Sequence, residues 1–270
     1  MLANIARQSV RTAGDWRNTK CWHFTDGYIY KEYDVVEPVF PASNNFTYSY
    51  WIYVIDTTSS SYYRHLLYLE ANKTFSTQML AGSSTHRKHS NHQKLVIRTN
   101  NNGNGVLKTF DTNKWINITT TGTSASSNAL KIYIEGELEY SNMAGTNDFS
   151  MPSVIAPFTF QVGSHERAPD FYIAELGVWD VALDADAVAV IGEKSIDWNT
   201  NSGDYDNAND LVAYYRFGNG TGDNPASLLH DETNGDHVAV SESAGFRDLT
   251  SIVGTIDEVD TDSVGNGIPV

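Results

Sequence analysis

Three glutamates are spaced so that they could catalyse hydrolysis of a glycosidic bond. The sequence reads Glu135-Gly-Glu137-Leu-Glu139, and alternate residues of a β-strand point to the same face of a sheet. Two carboxylates held close together can act on a sugar as nucleophile and general acid. However, Glu-Gly directly after an apolar run is typical of a hairpin turn, which would separate the three side chains. We therefore predict a hairpin and no catalytic residue.

A second candidate for chemistry is a group of histidines at every third position, His86, His89 and His92. Imidazoles can bind a transition metal, but the Gly and Ser residues before them predict a loop, and Arg87 and Lys88 would repel a cation. We interpret the segment as a solvated basic loop that could contact an anionic sugar or an acidic partner.

Aromatic residues at a predicted loop tip are candidates for binding carbohydrate. Tyr62, Tyr63 and Arg64 follow a Ser-rich run, and tyrosine rings there could stack on sugar rings or, alternatively, cover an edge of the fold. Together with His86 and His89 they form our predicted carbohydrate-binding set.

Two acidic segments could bind calcium. Asp204 and Asp206 lie in one, and Asp231 and Asp236 lie in the other. Hard oxygen ligands clustered on loops suit Ca²⁺, although neither segment has the pattern of an EF-hand. The alternative is that both are ordinary acidic turns rich in Asp and Asn.

The elements that must position these residues are mostly strands. One short helix is predicted after Asp184, which is typical of an N-cap, with Gly192 as its end. The first strand region contains Asp26-Gly27, which predicts a turn. Runs of β-branched and aromatic residues between turn-forming residues predict strands at 22–36, 46–55, 64–70, 94–98, 106–110, 114–120, 130–140, 157–162, 170–180, 211–217 and near 238.

Composition allows one large β-sandwich. The 270 residues are 40% hydrophobic and include 6 Trp, 15 Tyr and 11 Phe, enough to fill a core between two sheets. The net charge of −15 disfavours binding to nucleic acid or to anionic membranes. The single cysteine, Cys21, excludes an internal disulfide, and no stretch approaches the length of a membrane span.

Several segments resemble one known family. The runs Ile173-Ala-Glu-Leu-Gly-Val-Trp179 with Ala182-Leu-Asp184, Phe46-Thr-Tyr-Ser-Tyr-Trp-Ile52, and Leu130-Lys-Ile-Tyr-Ile-Glu-Gly-Glu-Leu138 resemble strands of laminin-G/pentraxin-like domains in the concanavalin A-like lectin/glucanase superfamily. The resemblance covers about residues 22–240, and Ala174 departs from the acidic residue usual there. It implies an all-β, concanavalin A-like jelly-roll β-sandwich, with Glu175 as a buried structural acceptor.

The same resemblance suggests a function and a cofactor. It implies a lectin-like domain that could bind glycans, with calcium as the cofactor. Because the N-terminal residues lack an apolar signal core and such domains occur in phage structural proteins, we predict a non-enzymatic decoration, fibre or tail component of a phage virion, synthesised in the host cytoplasm. The alternatives are a laminarinase-type glycoside hydrolase, which needs the three glutamates on one strand face, and a secreted cellular lectin or adhesin, which needs an export signal.

The ends of the chain are predicted to be arms. Residues 1–20 form an N-terminal arm or, alternatively, a disordered segment; 21–244 form the sandwich; and 245–270 form an acidic C-terminal arm or, alternatively, a loosely attached acidic tail. Ile252, Gly254 and Ile256 alternate as in a strand, and we expect this strand to pair outside the main sandwich because exposing its apolar residues would be costly. The arms would contact other virion proteins in a homo-oligomer or larger assembly.

Overall fold

The computed structural model describes 18–33, 45–55, 63–70, 75–80, 94–99, 105–109, 113–123, 130–142, 158–163, 170–193, 196–233, 249, 251–264 and 267–268. The strands are β1 Lys20–Tyr33, β2 Phe46–Val54, β3 Tyr63–Glu70, β4 Phe75–Leu80, β5 Lys94–Thr99, β6 Gly105–Thr109, β7 Trp115–Gly122, β8 Leu130–Ile134, β9 Glu137–Asn142, β10 Phe158–Gly163, β11 Phe171–Trp179, β12 Leu211–Tyr215 and β13 Ser251–Asp260. One α-helix, α1, spans Ala185–Glu193, and two 3₁₀-helices span Ala208–Asp210 and Thr261–Val264.

The long strand β1 connects two halves of an antiparallel sheet. Its residues 22–24 pair with β11, whereas residues 28–33 pair with β10. The strand order is β6-β5-β4-β3-β10-β1-β11-β2-β7-β8-β9, with β12 added to β11 and β13 added to β1. The register of the β1–β13 pair shifts between Phe24 and Asp26. Such a bulge bends a strand, and strands that bend in this way form the corners between two packed sheets.

The main core lies between the two halves. On β2 the inward side chains Phe46, Tyr48, Tyr50, Ile52 and Val54 alternate as a strand requires and are buried. From the other half, Ile29 and Val162 join the same cluster. The predicted all-β class is therefore confirmed, and the described residues form a two-layer sandwich.

A second core covers the outer face of β2 and its neighbours. Here α1 contributes Ala187, Val188 and Ile191, and the segment after it contributes Trp198 and Tyr205. As a consequence β2 is buried on both faces, with Trp51 on the side that faces the helix. We call α1 and the segment 196–210 the covering layer.

The predicted helix start is confirmed, but the predicted end is wrong. The backbone N–H of Ala187 donates to Asp184 Oδ1 at 2.9 Å, which is the N-cap contact. Gly192 does not stop the helix, which continues to Glu193. A Cβ at Gly192 would lie 2.3 Å from the backbone nitrogen of Gly136, so glycine is present because the helix and the β8–β9 turn approach closely.

The strand predicted at 252–256 is confirmed, but its predicted pairing outside the sandwich is wrong. β13 pairs along β1 of the same chain, from Lys20 opposite Asp260 to Tyr30 opposite Ser251. This pairing buries Ile256 in the main core, and it removes the exposure that suggested an external partner. The domain boundaries and any contact of 1–20 or 245–270 with other subunits stay predictions.

Two further expectations need correction. Asp26-Gly27 does not form a turn, because β1 runs through it as one strand with a bulge. The strand β4 was not predicted, since Phe75–Leu80 mixes polar residues into a short run, and its pairing with β3 and β5 places it in the sheet. The strand predicted near 238 lies outside the described residues.

Candidate functional site

Four aromatic rings on four neighbouring strands form one line across the outer face of the sheet. Trp115 on β7 pairs directly with Tyr53 on β2, Tyr53 pairs with Tyr172 on β11, and Tyr172 pairs with His23 on β1. Directly opposite residues of an antiparallel pair point to the same face. We call these four residues, with Asp170, the aromatic row.

The rings of the row contact one another in sequence. The ring centroids of Tyr53 and Trp115 are 5.9 Å apart, and those of Tyr53 and Tyr172 are 5.7 Å apart, both in edge-to-face geometry. His23 stacks on Tyr172 with a centroid distance of 4.1 Å. These are favourable geometries for aromatic pairs, so the row is a packed surface rather than a set of separate side chains.

The row marks the margin of the covering layer. Trp115 is only 4% exposed, whereas Tyr53, Tyr172 and His23 are half-buried. Just beyond the row, β2 ends at Val54 and β11 begins at Phe171, and the N–H of Ile55 donates to the carbonyl of Asp170 at 3.1 Å. The partly exposed rings therefore lie at one end of the sheet, beside the connections that follow β2 and precede β11.

Asp170 fixes the orientation of the histidine. His23 Nε2 lies 2.6 Å from Asp170 Oδ1, in a contact where Asp170 is 38% exposed and His23 is 19% exposed. Asp170 and Tyr172 share a face because they are two residues apart. Burial, then the nearby Asp170 carboxylate, raises the pKa of Tyr172, so its hydroxyl keeps its proton at neutral pH and can donate a hydrogen bond.

The row presents polar atoms that are not used within the described part of the chain. Among those residues, the hydroxyls of Tyr53 and Tyr172 make no hydrogen bond, and Asp170 Oδ2 and His23 Nδ1 have no partner either. Apolar ring surface with a few convergent polar groups is the usual make-up of a small-molecule site. The row can therefore hold a ligand that combines apolar faces with hydroxyl groups.

The row does not contain the parts of a nucleophilic catalyst. Asp170 is the only hydrogen-bonding side chain of His23 among the described residues. A triad additionally needs a Ser or Cys nucleophile within hydrogen-bonding distance of the histidine. Cys21, two residues away on β1, is fully buried, and its Sγ donates to the carbonyl of Val259 at 3.4 Å.

The predicted hairpin at the three glutamates is confirmed. β8 ends at Ile134 and β9 begins at Glu137, and the two residues between them have positive φ, 53° for Glu135 and 80° for Gly136. These values are those of a two-residue hairpin turn. Glu135 lies in the turn and pairs with Lys114 at 3.2 Å, so the common strand face required by a laminarinase-type site does not form.

The predicted carbohydrate-binding residues are only partly described. Tyr62, His86 and His89 lie outside the described residues, whereas Tyr63 and Arg64 begin β3. Tyr63 pairs with Leu80, and Leu80 pairs with Lys94. The register thus brings the start of β3 beside both ends of the 81–93 connection that carries the histidines, and the predicted sugar contact stays a prediction.

The predicted calcium residues show other uses where they are described. Asp231 Oδ1 accepts hydrogen bonds from the N–H groups of Tyr214 at 2.9 Å and Thr233 at 3.1 Å. Asp204 and Asp206 are exposed in turns, and Asp236 lies outside the described residues. Within the described ranges, no group of three His, Cys, Asp or Glu side chains is placed to hold a metal ion. Calcium therefore stays a prediction from the sequence.

Glu175 has the structural role that the sequence predicts. It is fully buried, and its Oε1 accepts a hydrogen bond from the hydroxyl of Tyr214 at 3.1 Å. Burial is the main cause that raises the pKa of Tyr214 well above its usual value, which keeps this hydroxyl as a donor to the carboxylate.

Sequence reasoning missed the aromatic row. Each of its rings lies in or beside a predicted strand, but the four are distributed over residues 23–172 and no local pattern connects them. Only the registers of three strand pairs align them. The local signal that was available is an aromatic residue at or next to one end of β2, β7 and β11.

The match to a known family agrees with the fold. Residues 26–189 match Laminin_G_3, a family of the Concanavalin A-like lectin/glucanases superfamily. Because the match covers more than half of the chain, the chain belongs to this family, and the predicted resemblance is confirmed. No curated protein sequence matches the chain.

Several solved structures are similar to this chain at low identity, and the first of them shows the same fold. A protein of Bacteroides ovatus ATCC 8483, provisionally named as carbohydrate binding, is 19% identical over 94% of this chain with a TM-score of 0.62. This chain spans 62% of the length of that protein. The native heptameric SAP-like pentraxin of Limulus polyphemus is 11% identical, over 80% of this chain and 93% of that one, with a TM-score of 0.49.

A third similarity is to the binding domain of botulinum neurotoxin DC, solved in complex with rat synaptotagmin II. It is 14% identical over 80% of this chain and 53% of that chain, with a TM-score of 0.46. An identity as low as that of the first structure shows the fold alone. The predicted concanavalin A-like sandwich is confirmed by the family match together with that fold. Within the part of the chain that the structure describes, no helix has the length and apolar character required to cross a membrane.

Proposed function

We propose that this chain is a non-enzymatic carbohydrate-binding domain that holds an oligosaccharide on the aromatic row. The observation that carries the proposal is the alignment of Trp115, Tyr53, Tyr172 and His23 across four paired strands. Pyranose rings have apolar C–H faces and a rim of hydroxyls. The row offers matching chemistry, with aromatic surface beside two tyrosine hydroxyls and a carboxylate oxygen that have no other partner among the described residues.

The dimensions of the row suit an oligosaccharide better than a single sugar. Of its rings, Tyr53, Tyr172 and His23 are partly exposed. Their three neighbouring strands separate the first and last of these rings by two strand spacings, about 10 Å at roughly 4.8 Å each. The strands are held by continuous pairing, so the site needs little ordering before it binds, and preorganisation favours affinity. The lectin-like fold and the name given to the Bacteroides ovatus protein support the same class of ligand.

The test is a glycan array followed by calorimetry on the best ligand. We expect Tyr172→Ala to weaken binding at least tenfold, because each lost hydrogen bond or ring contact of about 1.4 kcal/mol changes affinity tenfold. Tyr53→Phe and Tyr172→Phe, which remove only a hydroxyl, should weaken it by a smaller factor. The matched control is Tyr30→Ala, because Tyr30 is also a half-buried tyrosine but lies on β1 outside the row.

Two results would contradict the proposal. One is an array on which the folded wild-type chain binds no glycan. The other is binding that Tyr172→Ala and Tyr53→Phe leave unchanged while both variants retain the wild-type circular dichroism, which would locate the sugar elsewhere on the domain.

We also propose that the protein is a component of a virion, and this part of the proposal rests on the sequence alone. A decoration, fibre or tail role, synthesis in a host cytoplasm, and contacts of the terminal segments with other virion proteins are supported by the phage occurrence of such domains. Mass spectrometry and antibody labelling of purified virus particles test this role. A chain found only in the medium or on a cell surface would favour the secreted lectin or adhesin.

A further inference from the structure

We infer that the aromatic row selects uncharged glycans over acidic ones; this inference rests on the proposed function. The charged side chains placed at the row are carboxylates. Asp170 contacts His23 within the row. Asp257 of β13 lies directly opposite His23, is exposed, and shares the face of its pairing partner.

The nearest described cations do not offset these two charges. Lys20 forms ion pairs with Glu258 at 3.1 Å and Asp260 at 3.3 Å. It lies three residues before His23 on β1, so the two side chains point to opposite faces of the sheet. At the other end, Lys114 pairs with Glu135 in the β8–β9 turn. Among the described residues, Asp257 has no cationic partner and the partner of Asp170 is His23, so a ligand that extends to His23 meets carboxylates at the β1 end.

The chemistry of the free atoms points the same way. Asp170 Oδ2 can only accept hydrogen bonds while it is ionised, so it suits a sugar hydroxyl and opposes a sugar carboxylate or sulfate. The tyrosine hydroxyls can donate or accept and do not distinguish charge. Discrimination between neutral and acidic glycans thus depends on Asp170 and Asp257.

The expected size of the discrimination is modest and depends on salt. Two like charges about 7 Å apart in water weaken binding roughly threefold for each carboxylate at low ionic strength. Screening shortens the range of this repulsion to about 3 Å at 1 M salt, so the difference should nearly vanish there.

The experiment uses three soluble tetrasaccharides with the same β-1,4 linkage: the glucose oligomer, its 6-carboxylate form and its 2-amino form. Binding to the full chain is measured by calorimetry in 20 mM and 1 M NaCl, together with the neutral and sialylated members of the glycan array. Asp257→Asn is the test variant. Glu137→Gln makes the same change of net charge on the edge strand β9, five strands along the sheet from β1, and is the control.

In low salt we expect the 6-carboxylate form to bind more weakly than the neutral form, and the cationic 2-amino form to bind at least as well as the neutral form. Asp257→Asn should improve binding of the acidic form about threefold and leave the neutral form unchanged, whereas Glu137→Gln should change neither. Equal binding of acidic and neutral glycans, with both lost in Tyr172→Ala, would overturn the charge selection and leave the binding site intact. Absence of binding to every glycan would overturn the proposed function as well.

Discussion

Asn219 joins two segments that are about two hundred residues apart, and its removal should destabilise the sandwich. Its Oδ1 accepts hydrogen bonds from the backbone N–H groups of Thr19 and Lys20, both at 2.9 Å, and from the Thr19 hydroxyl at 3.3 Å. Its Nδ2 donates to the carbonyls of Lys20 at 2.7 Å and Arg216 at 2.9 Å. One amide side chain thus fixes the first residue of β1 to the loop that follows β12.

The expected loss follows from these contacts. A hydrogen bond contributes about 0.5–1.5 kcal/mol net, and the lower part of that range applies because the groups are partly exposed and water can replace the side chain. Five contacts, one of them long, give a loss of about 2–4 kcal/mol for Asn219→Ala. With a urea m-value of about 2–3 kcal/mol/M, the midpoint of unfolding should fall by about 1 M.

Urea denaturation followed by tryptophan fluorescence measures the change. Asn209→Ala is the control, because Asn209 is exposed in the 3₁₀-helix Ala208–Asp210, and its loss should be within about 0.5 kcal/mol of zero. Asn219→Asp should also destabilise, since it sets an oxygen against the carbonyls of Lys20 and Arg216. If Asn219→Ala were no more destabilising than Asn209→Ala, the interpretation that Asn219 stabilises the contact between β1 and the loop after β12 would be refuted.

Two further predictions concern packing and burial. Gly192→Ala should destabilise the protein by about 1–2 kcal/mol in the same denaturation assay, because overpacking against the backbone of Gly136, 2.3 Å from the added Cβ, outweighs the gain of about 1 kcal/mol in helix propensity. The control is Glu193→Ala, since Glu193 is exposed in the same helix. If Gly192→Ala stabilised the protein, the helix would be able to move away from the turn. Burial is the main cause that raises the pKa of the Cys21 thiol from 9.0 to about 12, so at pH 8 its thiolate fraction is about a thousandfold lower than that of an ordinary thiol. A disulfide reagent should therefore label Cys21 only after unfolding, and rapid labelling of the native chain would contradict the burial. The stability that this group contributes is fully present below pH 9 and is lost as the pH rises towards 12.

Local chemistry in the sequence was sufficient for features that depend on neighbouring residues. The Asp184 N-cap and the Glu135-Gly136 turn were both predicted, because a cap and a two-residue turn are decided by side chains and φ preferences within four residues. The buried role of Glu175 was predicted from one acidic residue inside an apolar run. Each of these signals is contained in a short segment.

Features that depend on distant pairing were predicted poorly. Gly192 was interpreted as a helix stop, because the sequence does not show that the β8–β9 turn passes 2.3 Å from its missing Cβ. The strand at 251–260 was recognised, but its partner was not, since β1 lies more than two hundred residues earlier in the chain. The aromatic row required three registers at once, and a shift of one residue in any of them would move a ring to the other face.

A polar cluster on the outer face of the sheet is satisfied by its own members, unlike the hydroxyls of the row. Under the covering layer, Ser49, Asn117 and Thr119 are fully buried and bond to one another, with Oγ to Oγ1 at 2.7 Å and Asn117 Nδ2 donating to Ser49 Oγ at 3.0 Å. A buried polar group without a partner is costly, so these groups are satisfied internally.

The row at the end of the same face lacks this internal satisfaction. The hydroxyls of Tyr53 and Tyr172 have no partner among the described residues, although both rings are packed and ordered by their neighbours. Water can satisfy such half-exposed hydroxyls, and a sugar hydroxyl can replace that water without loss of the hydrogen bond. Packed rings with exchangeable polar ends remain favourable both in water and under a glycan, and for this reason the row, rather than the polar cluster beneath α1, is the part of this face suited to binding.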